Sequence, residues 1–291
     1  MNAGLHELPL VFFTVLAQSA VGALILMAVY LLFGSQDAER RRKIINLFLV
    51  ALVLLGIGFT ASTLHLGSPW RAFNSLNRIG ASALSNEIAS GALFFALAGL
   101  YWLLHVLNKM PAGLDKPGLV VIILSGCIFM YIMSSVYLIN TVPTWNNPYT
   151  PASFILTAIL AGFTLAYVLL YFAGLEFTRL RVIPWILVSA LLVTVLLVVS
   201  QAFALSDIQT SVQKATALVP DYSSMMMVRI VLLFAGIGLL FYSAVSYTAS
   251  GSRTAVKLSL CCSVVLVILA EFIGRTVFYG LHMTVGTAIA G

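Results

Sequence analysis

The sequence predicts an all-α integral membrane protein with eight transmembrane helices and both termini outside the cytoplasm, which in a bacterium means the periplasm. Three observations carry this. The 291 residues are 61% hydrophobic and only 8% charged, with a mean hydropathy of +1.07. A soluble domain carries roughly a quarter charged residues, so a protein of this composition could not cover itself in water. The apolar residues gather into eight stretches, each close to the roughly 20 residues a helix needs to cross a hydrocarbon core. Finally, ten of the fifteen Lys and Arg fall on alternate loops, the asymmetry that orients a polytopic protein with its basic loops inside.

The spans are expected at about 9–33, 44–65, 87–107, 118–139, 151–174, 184–205, 225–249 and 258–280. Lipid offers no partners for exposed backbone groups, so each span is helical. Turn chemistry or charge marks the breaks: Gly34 to Asp37 after the first span, Pro111, Gly113, Pro117 and Gly118 after the third, Pro143, Pro148 and Pro151 after the fourth, and Pro220 with Asp221 before the seventh. Residues 1–291 read as one polytopic domain, since the longest interhelical segment runs only from Leu66 to Asn86. Met1 to Pro9 lack a basic n-region, so the first span is expected to be retained. No strict GxxxG pair occurs, and packing is expected to use dispersed small residues such as Gly58 with Ser62.

Arg40, Arg41, Arg42, Lys43, Lys109, Lys116, Arg179, Arg181, Arg253 and Lys257 define the cytoplasmic loops. They are scattered over short connections, which accounts for the net charge of +6 and argues against nucleic-acid binding. Cys127, Cys261 and Cys262 lie within spans, without a CxxC motif. They cannot hold an iron–sulfur cluster alone or attach haem covalently, and are expected as small packing residues. No metal site is expected. Of the histidines, His105 alone lies near the cytoplasmic end of a span, while His6, His65 and His282 lie toward the other face. A haem held by two histidines needs both at one depth, so a transmembrane haem pair lacks a ligand; the count alone leaves one outer-face haem open.

Polar residues concentrate between the second and third spans. His65 ends one span and Glu87 begins the next, and the two are antiparallel, so an imidazole and a carboxylate meet at one depth. Ionisable groups at membrane depth are costly and are functional candidates. Such a pair suits stepwise proton removal. It equally fits a helix-end histidine and an ordinary first-turn acid. The last span carries Glu271 and Arg275 on one helical face, followed by Tyr279 and His282. An intramembrane ion pair that fixes packing is the favoured reading; the other has Arg275, Tyr279 or His282 lining an outer-face pocket. Arg229 shares this ambiguity. The competing class is a secondary transporter, which needs ionisable residues near the midplane and interrupted spans in matched halves; here they cluster toward one face.

Several motifs carry a resemblance: His65 to Pro69, Arg71 to Arg78, Gly80 to Glu87, Thr141 to Trp145, Ala217 to Tyr222, and Phe278 to Gly286. Over these, and from His6 to the C-terminus, the sequence resembles the anchor subunit of bacterial dimethyl sulfoxide reductase. The resemblance implies an inner-membrane subunit that oxidises menaquinol in anaerobic respiration. Electrons then pass to an iron–sulfur subunit and on to a molybdopterin catalytic subunit. It also implies no haem in this protein, and places the family's quinol-site histidine and glutamate on His65 and Glu87. Arg71 and Asn86 become candidates for orienting the quinol or docking the iron–sulfur subunit. The chemistry agrees, because quinol oxidation releases two protons and two electrons, and this sequence offers bases without metal ligands. The quinol's apolar tail implies lateral access between helices.

Overall fold

The computed structural model describes residues 2–34, 37–65, 74, 76–209, 214–246 and 253–283. Among the described residues, eight helices are long and apolar enough to cross a membrane. They are α1 (Leu8–Phe33), α2 (Ala38–His65), α3 (Ala83–Val106), α4 (Asp115–Ser135), α5 (Tyr149–Phe172), α6 (Val182–Asp207), α7 (Tyr222–Ser246) and α8 (Arg253–Gly280). A short helix, Asn2–His6, precedes them and packs on α8.

Every span falls where hydropathy puts it, but the ends move. The largest shift is at α2, which starts at Ala38 and so takes in the basic run Arg40 to Lys43. Asp37 is responsible: its Oδ1 accepts from the Arg40 N–H at 2.8 Å, and its carbonyl accepts from the Arg41 N–H at 3.0 Å. A first-turn cap of this kind lets charged residues continue a helix beyond its apolar part.

Two helices form the inside. In α1 and α5, 78% of the span is buried, against 22–39% in the other six. They cross backbone to backbone. A Cβ at Gly22 would collide with the Ala158 carbonyl and Gly162, and one at Gly162 would meet the Gly22 Cα at 2.6 Å. At this crossing α5 opens into a π-helical turn, Ala158–Gly162. Small residues give membrane helices their closest approach, and here they sit on partner helices rather than as one motif. Gly58 packs similarly on α1, with its Cβ position 3.3 Å from the Phe13 carbonyl. The remaining helices ring this pair. The helix α7 lies on α6 and α8, whereas α3 packs chiefly on α2 and α4.

An even number of spans puts the start of α1 and the end of α8 on one side, the terminal face. Four helices are tied together at the opposite face. Arg41 donates to the Leu31 carbonyl at 2.9 Å and to Asp115 at 2.8 Å, Tyr101 donates to Asp115 at 2.7 Å, and the His105 ring lies 3.1 Å from Asp115. The three cysteines face outward, not into the packing as expected.

Candidate functional site

Glu87 lies in the second turn of α3, a helix whose entry is fixed locally. Ser82 caps it by accepting from the Ser85 N–H. Asn86 reaches back so that its Oδ1 accepts from the Gly80 N–H at 2.6 Å. Gly80 itself has φ +86°, a conformation that favours glycine. Asn86 therefore holds the turn that delivers Glu87. The Glu87 side chain is only 3% exposed, and its Oε1 has no hydrogen-bond partner among the described residues.

His65 is the last residue of α2. The register of the two helices follows from the Phe59–Phe95 ring contact at 6.1 Å. From that level, six residues along α2 reach position 65 and eight back along α3 reach position 87, rises of about 9 and about 12 Å. The backbone thus brings both positions to nearly one depth at the terminal face. The His65 side chain and all of Arg71 lie outside the described residues.

Beside Glu87, the terminal face holds an aromatic layer, of which the sequence singled out Tyr279 and His282 as pocket candidates. The segment joining α4 to α5 folds inward, so that Tyr137 and Trp145 are buried. The Tyr137 and Tyr279 hydroxyls are 2.5 Å apart. The Trp145 indole N–H donates to the Phe278 carbonyl at 2.8 Å, and its ring stacks on Phe278 at 5.2 Å. The exposed His282 rests on Trp145, with ring centroids 4.7 Å apart. Burial pushes the Tyr137 phenol well above its usual range, and the Tyr279 and Glu87 charges push it further.

Deeper in, a polar network joins four helices. Arg275 donates to the Gln18 Oε1 at 2.7 Å and to the Thr157 hydroxyl at 3.3 Å, and its guanidinium lies 3.7 Å over the Phe154 ring. Thr157 in turn donates to Glu271 at 2.6 Å, and Arg229 donates to both Glu271 oxygens at 3.2 and 3.0 Å. The expected Glu271–Arg275 pair is thereby corrected. Spacing of four puts both on one face of α8, but each takes a partner from another helix and they meet only through Thr157. Gly274 allows this, because a Cβ there would fall 2.6 Å from the Arg229 Nε. Among the described residues, two guanidiniums against one carboxylate leave this cluster with an excess positive charge. Gln18, a polar residue inside an apolar span, was a further available signal for the network beside Arg229, Glu271 and Arg275; Tyr137 and Thr157 gave none.

Among the described residues, no group of three or more His, Cys, Asp or Glu could hold a metal ion. Eight membrane-length helices, a buried acid with one unpartnered oxygen and a guanidinium–carboxylate network, all among the described residues, together define a polytopic membrane subunit with an ionisable site at one face.

The protein belongs to the family described as DMSO reductase anchor subunit (DmsC), which it matches over residues 1–281. It is 47% identical over 293 residues to the YnfH polypeptide of anaerobic dimethyl sulfoxide reductase from Escherichia coli (strain K12), with 100% of both sequences covered. It is 48% identical over 291 residues to the C polypeptide of anaerobic dimethyl sulfoxide reductase from the same organism, again with 100% of both covered. The corresponding C polypeptide of Haemophilus influenzae is 46% identical over 291 residues, also with 100% coverage of each. The protein is therefore a multi-pass inner-membrane anchor subunit, and the transporter reading is left without support.

Proposed function

We propose that this protein is the menaquinol-oxidising subunit of a heterotrimeric reductase of the dimethyl sulfoxide reductase type, with its terminal face in the periplasm. One observation carries the reading. Glu87 is 3% exposed, keeps a carboxylate oxygen without a partner among the described residues, and lies level with the end of α2, where His65 stands. A buried acid without a partner is costly unless a ligand or proton completes it, and the head group of a quinol offers two hydroxyl donors. His65 and Glu87 accept the two hydroxyl protons as the ring is oxidised. The two electrons leave to an iron–sulfur subunit and from there to a molybdopterin subunit, where the terminal acceptor is reduced.

The other residues at this face position the site. Asn86 sets the entry of α3, while Tyr279 and Tyr137 wall it. Arg275, from the deeper network, favours negative charge as the protons depart. Arg71 and His282 are assigned to orienting the quinol or meeting the iron–sulfur subunit.

Glu87→Gln and His65→Arg complexes test this directly. Both should lose menaquinol-dependent reduction while retaining full activity from an artificial donor that feeds the catalytic subunit. Normal menaquinol turnover in both variants would overturn the proposal.

A further inference from the structure

A groove of about 700 Å³ runs along the outward side of α2 and α3. Leu49, Val53, Gly56, Phe95, Gly99 and Leu103 are among its walls. On α2 it extends from Leu49 to Ala61, a length of about 18 Å. Its lining is apolar apart from Thr60 and the Trp102 indole, so a charged or strongly polar occupant finds little to bind.

Its depth comes from glycines that packing does not require. Among the described residues, a Cβ at Gly99 would meet nothing within 4 Å, and one at Gly56 would meet only the Phe95 ring edge at 4.0 Å. A glycine inside a helix costs about 1 kcal/mol relative to alanine. At the Gly22 crossing that cost is offset by close helix contact. At Gly56 and Gly99 no described backbone comes close, and the glycines only hollow out the surface.

Position then selects the occupant. The groove is built from the same two helices that end in His65 and begin near Glu87. Its end at Ala61 is one turn from His65, and Phe95 is about two turns from Glu87. A second apolar groove, of about 560 Å³, lies between α6 and α7 and also contains an open glycine, Gly238. That one is lined by the first half of α6 and the last half of α7, toward the face opposite Glu87. Of the two, only the α2–α3 groove is built on the helices that carry positions 65 and 87.

We propose that the α2–α3 groove seats the isoprenoid tail of the quinol whose head group meets Glu87. This rests on the quinol-oxidation reading above and adds where the substrate's apolar part binds. It gives α2 and α3 both roles, proton acceptance at their ends and tail recognition along their length.

The test fills the groove in the assembled complex. Gly99→Phe and Gly56→Phe are compared with Gly238→Phe, an equal change in the other groove, and with Glu87→Gln. KM and kcat are measured with a long-tailed menaquinol and with a tail-less naphthoquinol. The Gly99 and Gly56 variants should raise KM for the long-tailed donor by about tenfold, equivalent to the burial of a few tail carbons. Their KM for the tail-less donor should stay within about twofold of the parent, and Gly238→Phe should alter neither. An unchanged KM for long-tailed menaquinol would mean that the groove holds lipid acyl chains only, and would overturn the inference. Equal losses with both donors would also overturn it. Glu87→Gln separates the two ideas: loss of both donors keeps the oxidation reading whatever the groove variants do, whereas retention of both removes that reading and this inference with it.

Discussion

Replacing Glu271 alone should destabilise the protein far more than replacing Glu271 and Arg229 together. Glu271 is 2% exposed and Arg229 6% exposed. The carboxylate accepts from Arg229 twice and from Thr157 once. Glu271→Leu removes the carboxylate that joins this network and leaves Arg229 buried without that counter-charge, beside a second buried guanidinium at Arg275. Uncoupling one partner of a buried pair costs about 3–5 kcal/mol, a large share of the roughly 5–15 kcal/mol by which a typical domain is stable. The double variant Arg229→Met with Glu271→Leu removes both charges while keeping volume, a change that is often neutral or stabilising. Denaturant titration of the detergent-solubilised complex, followed by tryptophan fluorescence, reads the difference. A single variant within about 0.5 kcal/mol of the parent, or a double variant no better than the single, would refute the assignment of this pair as a buried, interdependent unit.

Three further outcomes follow from other parts of the fold. Gly22→Leu should force α1 and α5 apart, so that immunoblots of membranes show little of the protein and no assembled complex. Asn86→Ala leaves the Gly80 N–H without its acceptor, and should cost about 1 kcal/mol and lower menaquinol turnover while menaquinol KM stays nearly constant. Tyr137 has its acid form favoured by the fold, with a folded pKa above the ordinary phenol value of about 10. Its contribution to stability is complete below that pH and is lost as pH rises toward the folded pKa. Alkaline unfolding should therefore be steeper in the parent than in Tyr137→Phe.

The position of the site sets the side on which electrons must leave. On the proposed reading, with Glu87 near the terminal face, a short electron path puts the iron–sulfur subunit on that side too. Protease should then cut the catalytic dimer in spheroplasts and spare it in inverted vesicles.

The eight spans were legible because lipid imposes length and apolarity on any crossing helix, and both can be counted along a sequence. Their arrangement was not legible. α1 and α5 are as apolar as the helices around them, and nothing in their hydropathy marks them as the inner pair. Polar residues stranded inside spans did carry information: Gln18, Arg229, Glu271 and Arg275 all entered one network. Spacing misled about their pairing, since a position four residues away on the same helix competes with partners on neighbouring helices. Arg229 prevailed at Glu271, helped by the missing side chain of Gly274. The antiparallel arrangement of α2 and α3 was enough to put positions 65 and 87 at one level. The inward fold of Tyr137 and Trp145 was invisible, because it depends on contacts with α8 some 130 to 140 residues away. The cysteines look like packing residues by type, yet point outward, because residue type does not fix which way a helix faces.

The seam at Gly22, Ala158 and Gly162 also bears on how substrate and product exchange. Two backbones in direct contact have no side-chain slack to rearrange, so the middle of the bundle behaves as a fixed keel. Helix α3 is different, since it leans chiefly on α2 and α4 and is open along most of its length. On the proposed quinol-oxidation reading, exchange of the ring therefore falls to the flank, where α3, with 22% of its span buried, carries Glu87.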